Sequence, residues 1–494
     1  METHISWVFL TDRHAYKLKK PVAFEFLDFT TLAARREACE EEVRLNRRLA
    51  EGVYLGVIPI RRRSDGQLSL GETGQPVDWL VKMRRLPARR TLESLILQGE
   101  LQESEIRDLA ATLARFYTQA APLTIKPDDY REALGHHVAS NFDELADPVH
   151  GLDLRQVRRI HAAQRQLLML YPALLDTRVC DGRIVEGHGD LRPEHIYFDR
   201  RPVVIDCVEF SRELRVLDVV DELCFLAMEC QRLQAGEVGQ RILEAYLQAS
   251  GDSPPPRLLA FYKAYRACVR AKVAVLREAQ LDPRHRPPAH ELATTYLALA
   301  DEYARQMGPP LLVVIRGLMG SGKTTLAQAL AEAVGAEWFS TDMVRRQLFP
   351  AAKPAAVYGN GKYSQAHRRE VYERMFAQAA ETLDAPMSVV LDGTFLFGDL
   401  RQRAVQLARG AGAIPLIVDC RCPADIAQRR IAERVAAGRD ASEAQPELYV
   451  QQCQEEQPDP PGLPVLQLNT TSSVCSLLDE LLRRLAQEAS LPGQ

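Results

Sequence analysis

The sequence predicts an α+β region of two lobes over 1–305, followed by an α/β region with a parallel sheet over 311–494. Three observations carry this reading. Strand-like alternation around one helix runs to about residue 86 and gives way to a mostly helical stretch. Gly308-Pro309-Pro310 stops a helix and marks the clearest boundary. Beyond it, apolar strands and helices alternate, the pattern of a parallel sheet covered on both faces. At 494 residues, the chain is long enough for about three folding units.

Taken in order, 5–10 and 15–20 alternate and flank Thr11-Asp12-Arg13, a hairpin pattern. The charged stretch 32–50, with Ala38, Val43, Leu45 and Leu49 in period, reads as a helix. Strands at 53–61 and 67–70 flank the turn Ser64-Asp65-Gly66, and 77–83 is a further strand ending at Leu86-Pro87. From 88 to 305 helices dominate, except over 183–206, where short β-like pieces surround a loop. The second region has strands near 311–316, 336–339, 388–392, 414–420 and 464–468.

Composition excludes several classes. Apolar residues make up 46% and charged residues 26%, a globular balance. Lys+Arg 62 against Asp+Glu 66 leaves −4, which argues against nucleic acid and anionic membranes as partners. No apolar run approaches a membrane span, and the N-terminus has no leader pattern. Ten cysteines in so long a chain read as buried reduced thiols, and the compartment expected is the cytoplasm.

The strongest motif is Gly317-Leu318-Met319-Gly320-Ser321-Gly322-Lys323-Thr324, which follows a buried strand and opens a helix. Glycines let backbone N–H groups curl around an anion, and a helix N-terminus adds positive potential. Gly317, Gly320, Ser321, Gly322, Lys323, Thr324 and Thr325 form the nucleotide-side set, with Lys323 on the β/γ-phosphates and Thr324 on Mg²⁺. The strand Val389-Val390-Leu391-Asp392 delivers a second metal-side carboxylate, Asp392, to the sheet edge. Phe339-Ser340-Thr341-Asp342 reads as another strand ending in a carboxylate, and Asp342 there would accept a proton from an attacking hydroxyl. Arg429, Arg430 and Arg434 follow on a later helix, where Arg430 and Arg434 share a face toward transferring phosphates or form a solvated basic face. A Gly-rich loop at 357–363 is a candidate acceptor wall or a plain surface loop.

This half resembles small P-loop kinases of the gluconate kinase, polynucleotide kinase and zeta-toxin type. The resemblance makes Asp342 the general base and places lid arginines among Arg429, Arg430 and Arg434.

A second constellation is His188-Gly189-Asp190-Leu191-Arg192-Pro193-Glu194-His195-Ile196, followed by the strand Val203-Val204-Ile205-Asp206. A loop Asp, a ligand five residues on and a strand-end Asp supply the set that phosphoryl transfer needs. Residues 1–300 resemble the aminoglycoside phosphotransferase family, which has a protein-kinase-like two-lobed fold. That resemblance implies Asp190 as catalytic base and Asp206 as a Mg²⁺ ligand. It also implies a strand lysine on the nucleotide, in Tyr16-Lys17-Leu18-Lys19. Alternation puts Lys17 and Lys19 on one face; Lys19 fits the register better, with Glu42 or Glu41 as its helix partner. Arg215, Asp218 and Asp221 read as braces of the loop.

Two departures stand out. His195 occupies the position of the family's Asn, the second metal ligand, and imidazole suits Mn²⁺ better than Mg²⁺. No G-x-G-x-x-G precedes Lys19, so 3–6 is the candidate phosphate cover, or a first strand is missing. The whole resembles bacterial fusions described as bifunctional aminoglycoside phosphotransferase and ATP-binding protein. The expectation is therefore an α+β protein-kinase-like two-lobed domain followed by an α/β P-loop NTPase domain. Each half would use ATP and a divalent metal to phosphorylate a hydroxyl of a small molecule. The rival expectations are a regulatory kinase-like half beside a catalytic P-loop half, and a toxin-like or RNA-end kinase.

Overall fold

A computed structural model of the chain describes residues 5–24, 27–70, 72–281, 286–350, 365–436 and 446–489. It divides into two compact units. The first takes residues 1–130, 174–274 and 281–299; the second takes 131–173, 275–280 and 300–494. Segment 131–173, which precedes the expected boundary at 305 to 311, is grouped with the second unit.

In the first unit the predicted strands form one antiparallel sheet. Ser6–Leu10 pairs with His14–Lys19, which pairs with Gln75–Arg84, then Tyr54–Arg62 and the short Leu68–Ser69. Helix Leu32–Asn46 packs across this sheet. Thr31 caps its start by accepting the Ala34 N–H at 3.1 Å, which satisfies an otherwise orphaned donor. Its buried face meets the sheet through Cys39 and Val43 against Tyr54, Val81 and Met83. Glu42 lies on the same face, fully buried, so a carboxylate is placed under the strand that carries the lysines.

The helical lobe is built around Val219–Arg232, in which every residue from 219 to 230 is buried. Four short strands stand beside it: Ile184–Glu186 pairs with Val216–Asp218, and Ile196–Phe198 with Pro202–Val204. These are the β-like pieces around 183–206, and they frame the His188–Asp206 segment.

In the second unit the five expected strands form one parallel sheet. Its order is Glu337–Ser340, Val389–Asp392, Leu311–Arg316, Ile414–Arg421, Val465–Asn469. The central strand is buried at all six positions, which matches its unbroken apolar run. One expectation is corrected in detail. The second strand ends at Ser340, and Asp342 lies in the first turn of helix Thr341–Leu348, because the Ser340 hydroxyl caps that helix on the Asp342 N–H.

Helix Leu154–Leu170 also belongs to this unit. It packs on helix Lys323–Val334 and helix Val474–Glu488. Arg165 donates to the Ala333 carbonyl at 3.2 Å, near the C-terminus of the helix that the phosphate loop opens. Gln166 accepts from the Ser388 hydroxyl at 2.7 Å and donates to the Pro309 carbonyl at 2.8 Å. Among the described residues, no helix is long and apolar enough to cross a membrane. All ten cysteines are free, but burial holds only for Cys39, Cys207, Cys224, Cys230, Cys268 and Cys420; Cys180, Cys453 and Cys475 are exposed.

Candidate functional site

Each unit brings one set of predicted residues together. In the first, Lys17 and Lys19 lie on one face of their strand, and both reach Glu42. Lys17 Nζ is 3.0 Å from Glu42 Oε1, and Lys19 Nζ is 2.5 Å from Oε2. Glu42, not Glu41, is therefore the helix partner; Glu41 faces Arg44 and Arg215. The two lysines then differ. Lys17 Nζ donates to Asp206 Oδ1 at 2.7 Å. Lys19 is fully buried between Glu42 and Glu209 and, among the described residues, pairs with no other carboxylate. Burial pulls both ammonium groups down, but the surrounding carboxylates outweigh it and raise both, Lys17 well above its ordinary value.

Asp206 ends the strand-like segment in a left-handed backbone conformation, φ 66°, which an Asp tolerates better than most residues. Its N–H donates to the Tyr54 hydroxyl at 3.3 Å. The side chain is half-exposed. Burial pushes its carboxyl up, but the Lys17 ammonium, then His195, hold it well below the usual carboxylate range.

The loop before it is held by two buried groups. The Glu222 carboxylate accepts the His188 N–H at 2.9 Å and also the Gly189 N–H. His188 Nε2 meets the Ile205 carbonyl at 3.0 Å, which ties the loop to the segment that delivers Asp206. Asp190, at the loop's tip, is gripped by Arg192 through two contacts, Nε to Oδ1 and Nη2 to Oδ2, both 2.9 Å. His195 Nδ1 lies 2.9 Å from the Asp190 carbonyl, which can only accept, so that nitrogen donates to it. Its Nε2 is 3.6 Å from Asp206 Oδ2 and 3.2 Å from Arg192 Nη2. Arg215, Asp218 and Asp221 act as braces. Arg215 pairs with Glu186 at 2.8 Å, Asp218 with Arg178 at 2.7 Å, and Asp221 with Arg266 at 2.6 Å.

In the second unit the phosphate loop has positive φ at Gly317, Gly320 and Gly322. At Gly320 a Cβ would stand 2.5 Å from the Ala427 carbonyl oxygen, so only glycine lets the loop pass. Asp392, Ser340 and Ile315 lie side by side in the sheet register, which brings Asp392 to the loop's edge. Both Asp392 oxygens are buried and, among the described residues, no donor meets full hydrogen-bond geometry with them, although the Thr324 and Ser340 hydroxyls lie close enough to act on the carboxyl. Burial raises its pKa; the Lys323 ammonium and the hydroxyls of Thr324 and Ser340 pull the other way. Asp342 is held by Arg345 at 2.5 Å.

The predicted lid arginines separate. Arg430 donates to the Thr470 carbonyl at 2.8 Å and reaches the Gly320 carbonyl at 3.5 Å, so it braces the phosphate loop from behind. Arg429 is exposed near Glu433. The side chain of Arg434, the loop at 357–363 and residues 3 and 4 lie outside the described residues. Sequence reasoning missed Glu209, Arg192 as the partner of Asp190, and the buried pair Arg316–Asp419 at 3.0 Å directly before the loop. Arg316, the last residue of an apolar strand, was the one available signal for that pair.

Both sites suit a divalent metal held together with nucleotide phosphates. At the second, an orphaned buried carboxylate, Asp392, stands beside the Thr324 hydroxyl. At the first, Asp206 Oδ2 and His195 Nε2 lie 3.6 Å apart and could both face an ion. Among the described residues no cluster of three or more His, Cys, Asp or Glu forms a metal site. A metal there would take its remaining ligands from phosphates and water, the habit of Mg²⁺ in kinases.

Residues 26–262 match the phosphotransferase enzyme family, and residues 312–455 match an AAA domain. The chain is 36% identical over 451 residues to two uncharacterized proteins, Rv2004c of Mycobacterium tuberculosis and Mb2027c of Mycobacterium bovis, covering 89% of this chain and 87% of each of them. The chain belongs to this family of fused phosphotransferase and P-loop kinase domains. It is an ATP-dependent phosphotransferase with a kinase-like first domain and a parallel-sheet second domain. Solved structures that resemble part of this fusion protein include a putative kinase from Chloroflexus aurantiacus, at 24% identity and TM-score 0.31, covering 37% of this chain and 100% of that one. A gluconokinase from Sinorhizobium meliloti shows 19% identity and TM-score 0.28, covering 37% of this chain and 94% of that one.

Proposed function

We propose that both halves catalyse, each transferring the γ-phosphoryl group of ATP to a hydroxyl of a small-molecule acceptor. The observation that carries this is the line of contacts from Lys17 through Asp206 and His195 to Arg192 and Asp190. A nucleotide-side cation, metal donors and a base are arranged there in the order that phosphoryl transfer uses them. Lys17 is the nucleotide-contacting lysine in this reading, and Lys19 fixes Glu42 beneath it. Asp190 accepts the acceptor's proton; a carboxylate kept ionised by Arg192 is ready for that role. In the second half Lys323 binds the β/γ-phosphates, Asp342 is the base, and Thr324 with Asp392 holds Mg²⁺. Mg²⁺ also serves the first half, with Mn²⁺ favoured by the imidazole of His195. When bound, the metal neutralises charge on the β- and γ-phosphates.

The test is a metabolite-library screen for ATP-dependent gain of one phosphoryl mass, run on the parent chain, Asp190→Asn and Lys323→Ala. Each variant is expected to lose a different product. If Asp190→Asn retains every product, the first half is regulatory and the two-centre reading fails. A product that is an RNA end would favour the toxin-like alternative instead.

A further inference from the structure

We infer that the acceptor at the Asp190 centre carries an oxyanion, a phosphate or a carboxylate, beside the hydroxyl that is phosphorylated, and that Arg232 and Arg270 bind it. This deepens the reading of Asp190 as the base and rests on it.

Both side chains converge on one buried carboxylate. Glu229, on helix Val219–Arg232, is 1% exposed. Arg232 Nε donates to its Oε2 at 2.6 Å, and Arg270 Nε, from helix Pro256–Gln280, lies 3.2 Å from its Oε1. The Tyr296 hydroxyl donates to the same carboxylate at 2.8 Å and takes a long 3.4 Å contact from Arg270 Nε. The two guanidiniums stand 5.9 and 5.6 Å from the centre of the Tyr296 ring. Two cations thus share one buried anion, which three donors already satisfy.

The manner of pairing separates these arginines from the structural ones of the same lobe. Arg178 gives Asp218 both Nε and Nη2, and Arg266 gives Asp221 the same fork. Those side chains are 6% and 9% exposed. Arg232 and Arg270 give Glu229 only Nε, and they are 19% and 18% exposed. Among the described residues, their Nη nitrogens make no hydrogen bond. Arg232 Nη2 comes no nearer than 3.6 Å to Glu93, too long for one. A brace spends its fork on the carboxylate; these two keep theirs open.

The open forks stand beside the base. Helix Val219–Arg232 packs against Pro193–His195, and so does helix Leu92–Gln98, which carries Glu93. Burial pushes the Asp190 and Glu194 carboxyls up, and Arg192, His195 and Arg270 pull them down, so the Arg270 charge is felt at the base itself. The paired Nη donors of a guanidinium match the spaced oxygens of a phosphate or carboxylate. Two like charges on one carboxylate repel, and an oxyanion between them relieves that repulsion. A polycationic amino sugar would meet the same charges and be rejected.

The probe is inorganic phosphate, titrated by calorimetry into the full chain carrying Lys323→Ala and saturated with a non-hydrolysable ATP analogue and Mg²⁺. Arg232→Gln and Arg270→Gln are each expected to weaken phosphate binding by about tenfold or more. Arg232→Lys and Arg270→Lys, which keep a cation on Glu229 and protect folding, should lose about threefold or more because the fork is gone. In the Lys323→Ala chain kanamycin should gain no phosphoryl mass from ATP. Phosphate affinity equal to the parent's in all four arginine variants would overturn the inference, and so would phosphorylation of kanamycin that Asp190→Asn abolishes. The underlying reading has its own readout, ATP hydrolysis by Asp190→Asn on the same background. If that rate equals the parent's, the reading of the first centre fails and this inference with it. If that rate is lost while phosphate binding ignores the arginines, the inference alone fails.

Discussion

Lys17 Nζ stands 2.7 Å from Asp206 Oδ1, across 189 residues of sequence, while Lys19, two positions along the same strand, is sealed between Glu42 and Glu209. One face of a six-residue strand thus carries two lysines with different partners.

The first prediction separates them. Lys17→Ala is expected to abolish nucleotide turnover at the Asp190 centre while the chain still melts cooperatively. Lys19→Ala leaves Glu209 buried without its cation and Glu42 with Lys17 alone, and should cost about 3–5 kcal/mol. Thermal melts read alongside ATP hydrolysis check both. The assignment is reversed if Lys19→Ala folds normally and loses ATP binding while Lys17→Ala keeps it.

A second prediction concerns the metal. His195→Asn restores an oxygen donor facing Asp206, so Mg²⁺-dependent turnover at this centre should rise and the preference for Mn²⁺ should fall. Rates in each metal, measured on the Lys323→Ala background, check this. Unchanged or lower Mg²⁺ rates with intact folding would count against His195 as a ligand.

Acid stability follows from Asp252. Burial pushes its carboxyl up, but the Arg178 hydrogen bonds outweigh that and hold it below the usual value. A depressed folded-state pKa contributes stability above the unfolded value, roughly 4, that is lost as pH falls through the folded one. Asp252→Asn should therefore be less stable than the parent at pH 7, and the two Tm values should converge as pH drops below about 4. A constant Tm gap from pH 7 to pH 3 would contradict this.

A fourth prediction tests the place of helix Leu154–Leu170. Gly335 has φ 68°, and a Cβ there would lie 2.8 Å from Ala162 Cα on that helix. Gly335→Val therefore pushes the helix away from the phosphate-loop helix and strains the backbone, at roughly 2 kcal/mol or more. Lys323-dependent turnover should fall and Asp190-dependent turnover should hold. Equal loss at both centres would deny the helix its place in the second unit.

Much of this was legible in the sequence, for physical reasons. The five parallel strands are short apolar runs bounded by glycines and helices, and the phosphate loop announces itself because only glycines permit its backbone. Asp392 was readable because it ends a buried strand, and Asp206 because it closely follows the apolar strand Pro202–Val204. The choice between Lys17 and Lys19 was not, since period-two alternation puts both on one face and the contact with Asp206 is set by packing far away in sequence. Glu209 was hidden for the same reason. Arg430 was correctly placed on its helix, but its partners, Thr470 and Gly320, come from two other elements. An amphipathic helix such as Leu154–Leu170 shows that it has a core to join and not which one.

The central claim, two nucleotide centres in one chain, is tested most directly by equilibrium binding of a non-hydrolysable ATP analogue with Mg²⁺ to the full chain. The account predicts two sites per chain, one lost in Lys323→Ala and the other in Lys17→Ala. A single site per chain, abolished by Lys323→Ala and untouched by Lys17→Ala, would contradict it.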